Sequence, residues 1–277
     1  MTFGDALDYI AAAHQICTTH SYPLASSAPF FRAPGFPLFL SIASLCNFDF
    51  VLACKVGLVC VEVLSCFLVY KLSTLFWGNQ KSGIIAATFF AFYPPFIFLV
   101  TDLYSEPLFM MLHLSATYLF LTDDRVAGIK TIGAGLFVGL ASLVRPIGLI
   151  LVAIFASLLL ILVRTSGFKR AAYGLLFFLM GTALVLAPWV IRNNKVFGSF
   201  VLVNDAGGYN FWRASTPEMQ RMYSTTSPQE FFDTAKSFEQ ITSPQTAREV
   251  FAVSKFIAER REEWVKRGAQ NIVRSPK

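Results

Sequence analysis

Acidic and basic residues that could carry chemistry are concentrated at a few points of this sequence, mostly beside long apolar runs. At the start of the chain, Asp5, Asp8 and Tyr9 share one face of a predicted helix, because residues three and four apart meet on a helix. A helix lying on a membrane would bury its apolar face and raise these carboxylates toward a cleft. The alternative is that Asp5 only caps the helix N-terminus.

An arginine stands at the entry to the next apolar run, at residues 31–40, FRAPGFPLFL. Two prolines and a glycine make this entry rigid and place Arg32 just outside the run. A guanidinium is planar and suited to holding a phosphate with two N–H donors. Long basic side chains also extend to water at membrane interfaces, so Arg32 predicts either a phosphate contact or an interfacial anchor.

Further charged residues lie where apolar runs begin or end. Asp102 and Glu106 fall within TDLYSEP, residues 101–107, and two carboxylates so close to hydrocarbon favour a binding site. The alternative for Glu106 is that it only marks a helix boundary before a proline. Arg145 lies beside a predicted helix break at Pro146. It could bind an anion there, or its side chain could extend from the apolar region to the membrane interface. Arg192 closes the last apolar run, as an anion contact or as an anchor beside the interfacial aromatic belt.

Other signals are weaker. Lys55 and Glu62 lie seven residues apart on one face of an apolar helix, where they could meet partners in a bundle. His14 and His20 do not form a recognisable metal site, and we assign no metal ligands. The sequence contains no glycine-rich phosphate loop, Ser-His-Asp order or HExxH motif. A divalent cation is compatible with the sequence but not supported by it, so the cofactor is left open.

The composition points to a membrane protein. Of the 277 residues, 55% are hydrophobic and 14% are charged, whereas soluble domains carry about 25% charged residues. This excludes a disordered chain, a fibrous repeat and an ordinary cytosolic enzyme. The net charge of +6 comes from short Lys and Arg clusters between apolar runs, as in cytoplasmic loops. No nucleic-acid-binding motif is present, so we expect no nucleic-acid partner.

The apolar runs predict an all-α, polytopic transmembrane helix bundle, because a membrane helix needs roughly 20 apolar residues. We predict an outward-facing catalytic loop with interfacial helices at residues 1–50, a bundle of about six spans at 51–191, and an outward-facing, partly helical segment at 192–277. A short helix at Phe36–Cys46 is expected to be interfacial. The predicted spans are Val51–Phe76, Ser82–Leu99, Glu106–Leu121, Thr131–Val144, Ile147–Val163 and Ala171–Ile191.

The predicted orientation follows from the basic residues. Connectors 71–82, 122–130 and 164–170 hold Lys and Arg at every second crossing, which places them on the cytoplasmic side. The remaining connectors then face outward. The charged residues expected at this outer boundary are Asp5, Asp8, Arg32, Asp102, Glu106, Arg145 and Arg192.

Taken in order, these motifs resemble a known family, the GT-C membrane glycosyltransferases, in particular the branch of dolichyl-phosphate-mannose protein mannosyltransferases and aminoarabinose transferases. The resemblance covers about residues 4–210. The segments that carry it are GDALDY at 4–9, RAPGFP at 32–37, YP at 93–94, SE at 105–106, LVRP at 143–146 and PWVIRN at 188–193.

The resemblance implies transfer of a sugar from a polyprenyl-phosphate carrier to a lipid, glycan or protein acceptor on the extracytoplasmic face of the plasma or inner membrane. It places Asp5 at the catalytic carboxylate and Tyr9 at the tyrosine that follows it. Asp8, Asp102 and Glu106 are then expected to bind sugar or acceptor. The candidates for the phosphate are Arg32, Arg145 and Arg192.

The chain departs from the family in three ways, and other functions stay open. Relatives begin with a span before the acidic loop and continue with further spans, so we expect a fragment or the product of a truncated gene. Ala6 replaces the second acid found in many relatives, which weakens a two-carboxylate or metal-assisted scheme. The alternatives are a membrane transporter and a non-catalytic membrane scaffold or inactive fragment. Charges gathered at one boundary favour transfer over transport, because transporters place their sites near the midplane.

Overall fold

The computed structural model describes residues 5–22, 32–45, 49–123, 128–162, 167–197 and 200–204. These ranges contain helices and no strand, which confirms the all-α prediction for the described part. A 3-10 turn, Ile42–Leu45, follows the second helix. The mixed-charge helix predicted near Glu249–Arg267 lies outside the described residues. The α-helices are α1 (Asp5–Thr19), α2 (Gly35–Ser41), α3 (Phe50–Trp77), α4 (Gln80–Ala91), α5 (Pro94–Thr101), α6 (Glu106–Leu121), α7 (Ile129–Val144), α8 (Gly148–Ile161) and α9 (Phe168–Phe197).

The chain divides into two compact units. The first unit comprises Met1–Tyr22 and Ala33–Arg192, and the second comprises Pro23–Arg32 and Asn193–Lys277. All the described helices except the last residues of α9 belong to the first unit. Within the second unit, the Asn193 side-chain amide donates a hydrogen bond to the Val201 carbonyl oxygen over 3.1 Å.

Within the described residues, two helices are long and apolar enough to cross a bilayer, namely α3 and the Phe168–Val196 part of α9. The pair α4 and α5 makes a third if it counts as one broken span. Large apolar side chains such as Phe67, Phe89 and Leu184 are exposed on these helices, as on surfaces that face lipid. The chain therefore has the features of a membrane protein, while six crossings and their orientation remain predictions.

The predicted span Ser82–Leu99 is not one straight helix. The structure ends α4 at Ala91 and begins α5 at Pro94, with a bend of 51° between the two. Tyr93 has an extended backbone, with ψ of 111°, because the ring of Pro94 disfavours helical geometry in the preceding residue. Pro94 and Pro95 then begin α5 without loss of a hydrogen bond, since the first N–H groups of a helix have no partner within it.

Side-chain and glycine caps set the ends of α3 and the start of α4. The Asp49 carboxylate accepts a hydrogen bond from the Leu52 amide over 2.8 Å at the start of α3. Gly78 ends α3 with φ of 67°, a left-handed conformation that glycine adopts at no steric cost. Asn79 then caps α4 by accepting from the Ser82 amide over 2.9 Å.

Small residues allow α7 and α9 to pack closely. A Cβ atom on Gly139 would meet the Cβ atom of Val185 at 2.9 Å. The Thr182 hydroxyl of α9 donates to the Gly135 carbonyl oxygen of α7 over 3.1 Å. Small residues and interhelical hydroxyl bonds are typical of helix contacts in membranes, where burial of apolar surface does not by itself drive association.

A buried apolar cluster joins the elements that carry the candidate site. It includes Tyr9 of α1, Phe36 and Leu40 of α2, Leu108 of α6 and Val144 of α7. Because α1, α2, α6 and α7 share this cluster, the motif residues that lie on these four helices come together in one region of the first unit.

Candidate functional site

An ion pair stands at the centre of this region. The Arg145 guanidinium binds Glu106 through Nη1 and Oε1, and Nη1 also donates to the Ser105 hydroxyl over 3.2 Å. The side chains of Arg145 and Glu106 are 37% and 34% exposed, so the pair is reachable from solvent but partly screened from it. The structure thus joins two sequence motifs that lie about forty residues apart.

A helix break places the Arg145 side chain at the end of α7. Arg145 has an extended backbone, with φ of −140° and ψ of 125°, because Pro146 follows it. Its amide still donates to the Ala141 carbonyl over 2.9 Å, and its carbonyl accepts from the Gly148 amide over 2.8 Å. These bonds satisfy the backbone on both sides of the break and hold the arginine in place. The predicted break at Arg145-Pro146 is confirmed.

A strained turn places Glu106 at the first residue of α6. Leu103 has a positive φ of 57°, which is unusual for a residue with a branched side chain, and its side chain is completely buried. The Tyr104 amide donates to the Leu99 carbonyl over 3.0 Å, which closes the turn. The same turn carries Asp102, whose amide donates to the Phe98 carbonyl over 3.2 Å.

One oxygen of Glu106 has no hydrogen-bond partner among the described residues. This atom, Oε2, has less than 1 Å² of accessible surface, while Oε1 is held by Arg145. A buried acceptor without a donor is costly, and native proteins rarely leave one unpaired. Glu106 is therefore oriented by an arginine through one oxygen, while its other oxygen is a buried acceptor without a donor among the described residues.

The proline-rich entry packs against the α7 end that precedes Arg145. A Cβ atom on Gly35 would lie 2.8 Å from the Leu143 carbonyl carbon and 2.8 Å from the Val144 amide nitrogen. Only a glycine permits this approach of α2 to α7. On the other side of α2, the Phe36 ring contacts the Tyr9 ring edge-on, with 4.9 Å between centroids. The structure therefore brings Tyr9 to this region as a buried packing residue.

Arg192 forms a second cationic position, in the last turns of α9. Its guanidinium carbon lies 4.7 Å from the centroid of Trp189 and 5.4 Å from that of Tyr22. Trp189 and Tyr22 meet edge-on with 5.0 Å between centroids. Aromatic faces attract a guanidinium, so the two rings fix its position. No sequence motif identified Tyr22, because its role depends on a tertiary contact. The chain after α1 brings Tyr22 next to Trp189 and Arg192 of α9.

The remaining predicted site residues are placed only in part. Asp5 and Asp8 lie on α1, and their side chains are outside the described residues. Arg32 belongs to the second unit, whereas Arg145 and Arg192 belong to the first. The region built from described side chains thus consists of Ser105, Glu106 and Arg145.

The described residues contain no group of three His, Cys, Asp or Glu side chains that could hold a metal ion. An apolar groove of about 570 Å³ follows the end of α4 to the start of α5, lined by Ile84, Ile85, Thr88, Phe89, Phe92, Tyr93 and Pro94. Its lining offers almost no polar surface, so it suits a hydrocarbon chain.

Comparison of the chain with protein-family models, curated proteins and solved structures finds no match. The resemblance to the GT-C glycosyltransferases therefore rests on the ordered motifs alone.

Proposed function

We propose that this chain is a membrane glycosyltransferase that moves a sugar from a polyprenyl-phosphate carrier to an acceptor on the extracytoplasmic side. The observation that carries the proposal is the carboxylate of Glu106, with one oxygen bound to Arg145 and the other buried without a partner in the described residues. Such a carboxylate is suited to a sugar hydroxyl, because it is already oriented before the ligand arrives. Two of the segments that resemble the GT-C family, at residues 105–106 and 143–146, contribute to this ion pair.

The reaction needs a base for the acceptor and positive charge for the leaving group. In the proposed step, an acceptor oxygen forms a bond to the anomeric carbon while the bond from that carbon to the phosphate oxygen breaks. Asp5 takes the proton of the acceptor hydroxyl, and the lipid phosphate leaves with the bonding electrons. General base catalysis of this kind contributes about 10²–10⁴-fold. Asp8, which follows Asp5 on α1, would support the acceptor, and the buried Tyr9 would hold α1 against α2.

Arginines would stabilise the charge that develops on the departing phosphate. Arg192 is suited to this role because the rings of Trp189 and Tyr22 fix its guanidinium. Arg145 is already engaged by Glu106, which suits a role in orienting Glu106 and a weaker one towards phosphate. Asp102 is a further candidate for binding the sugar.

The proposal also needs a place for the lipid chain of the donor. The apolar groove at residues 84–94 has a volume of about 570 Å³, within the range of about 300–1,000 Å³ that is usual for ligand pockets. We expect it to hold several isoprene units. The groove is formed where the chain bends between α4 and α5. It would bind the hydrocarbon part of the donor, while the charged groups bind the sugar phosphate.

The test is a transfer assay with named variants. Membranes that contain the full chain are given radiolabelled polyprenyl-phosphate mannose or aminoarabinose, and label transferred to endogenous acceptors is measured. Asp5→Asn should lower transfer by at least about 100-fold, because the base is lost. Glu106→Gln should raise the donor concentration for half-maximal transfer about tenfold or more, because it loses a hydrogen bond to a charged group.

The matched control is Asp49→Asn, which also removes one carboxylate but keeps a side chain that caps α3. This variant should transfer like the unchanged protein. Full activity of Asp5→Asn would remove Asp5 from the mechanism. Solute flux in proteoliposomes, without transfer of either labelled sugar, would instead support the transporter alternative.

A further inference from the structure

A second cavity lies apart from the charged region, between α3, α4 and α5. Its volume is about 360 Å³, within the usual range for small-molecule sites. Almost all of its lining is apolar. The lining residues that matter below are Val59, Glu62, Cys66, Phe90, Phe96 and Thr101.

Glu62 is one of the residues around this cavity, and its carboxyl group lies beside the apolar lining. Both of its oxygens have less than 1 Å² of accessible surface, and neither has a hydrogen-bond partner among the described residues. The sequence predicted that Glu62 could meet a partner in the bundle, but the structure gives it an apolar cavity instead. Other polar groups of the lining are satisfied locally, since Cys66 donates to the Ala87 carbonyl and Thr101 donates to the Phe98 carbonyl.

Glu62 lies near the middle of α3, far from both ends of the helix. Glu62 lies twelve residues after Phe50, the first residue of α3, and fifteen before Trp77, the last. At a rise of about 1.5 Å per residue, the carboxyl group is roughly 18 Å from the start of the helix. Ionisable residues at this depth are expensive and usually mark a functional site with a specific partner.

The cavity has a second feature that suits a cation. The rings of Phe90 and Phe96 line it with 4.6 Å between their centroids. Aromatic rings attract a desolvated ammonium group, and a buried carboxylate does so more strongly. The rest of the lining is complementary to hydrocarbon. A ligand that matches all three features has one amino group on a compact apolar body.

We propose that the cavity between α3, α4 and α5 binds a small hydrophobic amine whose ammonium group pairs with Glu62. When the carboxyl group is neutral before binding, its proton moves to the amine nitrogen, so the pair forms without a change in net charge. The depth of Glu62 favours a molecule dissolved in the bilayer over the amine of a lipid headgroup, which lies at the interface. This binding site does not depend on the proposed sugar transfer.

The test uses a carbodiimide that enters membranes. The full chain is placed in phosphatidylcholine vesicles and treated with dicyclohexylcarbodiimide, and the labelled residue is found by mass spectrometry. A carboxylate oxygen bonds to the central carbon of the reagent while a nitrogen takes the proton, and the product rearranges to a stable N-acylurea. We expect the label at Glu62 and not at Asp49, an exposed carboxylate.

Protection by a matched pair of compounds then identifies the ligand class. Dicyclohexylamine should slow labelling of Glu62 at least about tenfold at saturation, because ligand and reagent compete for one site. Dicyclohexylmethane has the same apolar body without the nitrogen and should not protect. Labelled dicyclohexylamine should bind the Glu62→Gln variant about tenfold more weakly than the unchanged chain, a modest loss for a buried ion pair.

One further variant and a second lipid complete the test. Ala91→Leu narrows the cavity without changing the carboxyl group and should weaken both labelling and binding. Glu62→Gln and Ala91→Leu must unfold at the same temperature as the unchanged chain for these losses to count. Equal protection by the amine and the hydrocarbon, or no label at Glu62, would overturn the proposal. Equal protection by phosphatidylethanolamine vesicles would also overturn it and assign the cavity to a lipid headgroup.

Discussion

Near the ion pair, the close packing of α2 against α7 leaves no room for a side chain at Gly35. An alanine there would place its Cβ atom 2.8 Å from the Leu143 carbonyl carbon and the Val144 nitrogen, and 2.9 Å from the Leu143 oxygen. All three atoms are backbone atoms at the end of α7, so no flexible side chain can move aside. Either α2 moves away from α7, or the end of α7 moves and carries Arg145 with it.

The expected cost of Gly35→Ala follows from this overlap. Forcing one methyl group into a close backbone contact costs about 1–3 kcal/mol. The gain from replacing a helical glycine, roughly 0.5–1 kcal/mol, offsets part of this. We therefore expect a net loss between about 0 and 2.5 kcal/mol in the free energy of unfolding, with a middle value of roughly 1 kcal/mol.

Gly57→Ala is the matched control, because the same substitution there meets only an aromatic ring. The added Cβ atom would lie 3.4 Å from the Phe39 ring, which is an ordinary contact. Gly57 lies inside α3, so this variant should gain roughly 0.5–1 kcal/mol.

The assay is thermal unfolding of both variants in one detergent at one scan rate, since membrane proteins often unfold irreversibly. The two midpoints should move in opposite directions. A Gly35→Ala variant as stable as the unchanged chain would refute the close approach of α2 to α7.

Two other predictions concern side-chain contacts. In a double-mutant cycle of Arg145→Gln and Glu106→Gln, the coupling should be about 1 kcal/mol, because both side chains are about one third exposed and the pair is screened. Additive unfolding midpoints would show that the pair contributes nothing. Thr182→Val keeps the side-chain shape but removes the hydroxyl that bonds to Gly135, so it should cost about 0.6 kcal/mol. A loss as large as that of Gly35→Ala would contradict this modest contribution.

The apolar pattern predicts much of the helical structure. The predicted Val51–Phe76 lies within α3, and the predicted Glu106–Leu121 matches α6. The predicted span Ser82–Leu99 is bent in the structure, because Pro94 restricts the backbone before it and hydropathy alone does not register that restriction. The apolar pattern also underestimated the length of α9, which extends beyond the predicted Ala171–Ile191 at both ends, from Phe168 to Phe197.

The candidate site was predictable as a set of residues but not as a set of contacts. Proline-flanked charges at the ends of apolar runs identified Glu106 and Arg145. Nothing in their spacing pairs them with each other, because their contact depends on how α6 packs against α7. The part played by Tyr22 beside Arg192 was missed for the same reason.

From the amino acids alone, the chain is determined to be helical, rich in lipid-compatible surface and charged at helix ends, since these properties follow from local composition and periodicity. Only the tertiary structure decides which charges are satisfied. It gives Arg145 to one oxygen of Glu106 and leaves Glu62 among apolar side chains. The physical reason is that a charge in a low-dielectric environment is stabilised mainly by the few atoms within hydrogen-bond distance. Which atoms these are depends on how segments distant in the sequence pack together.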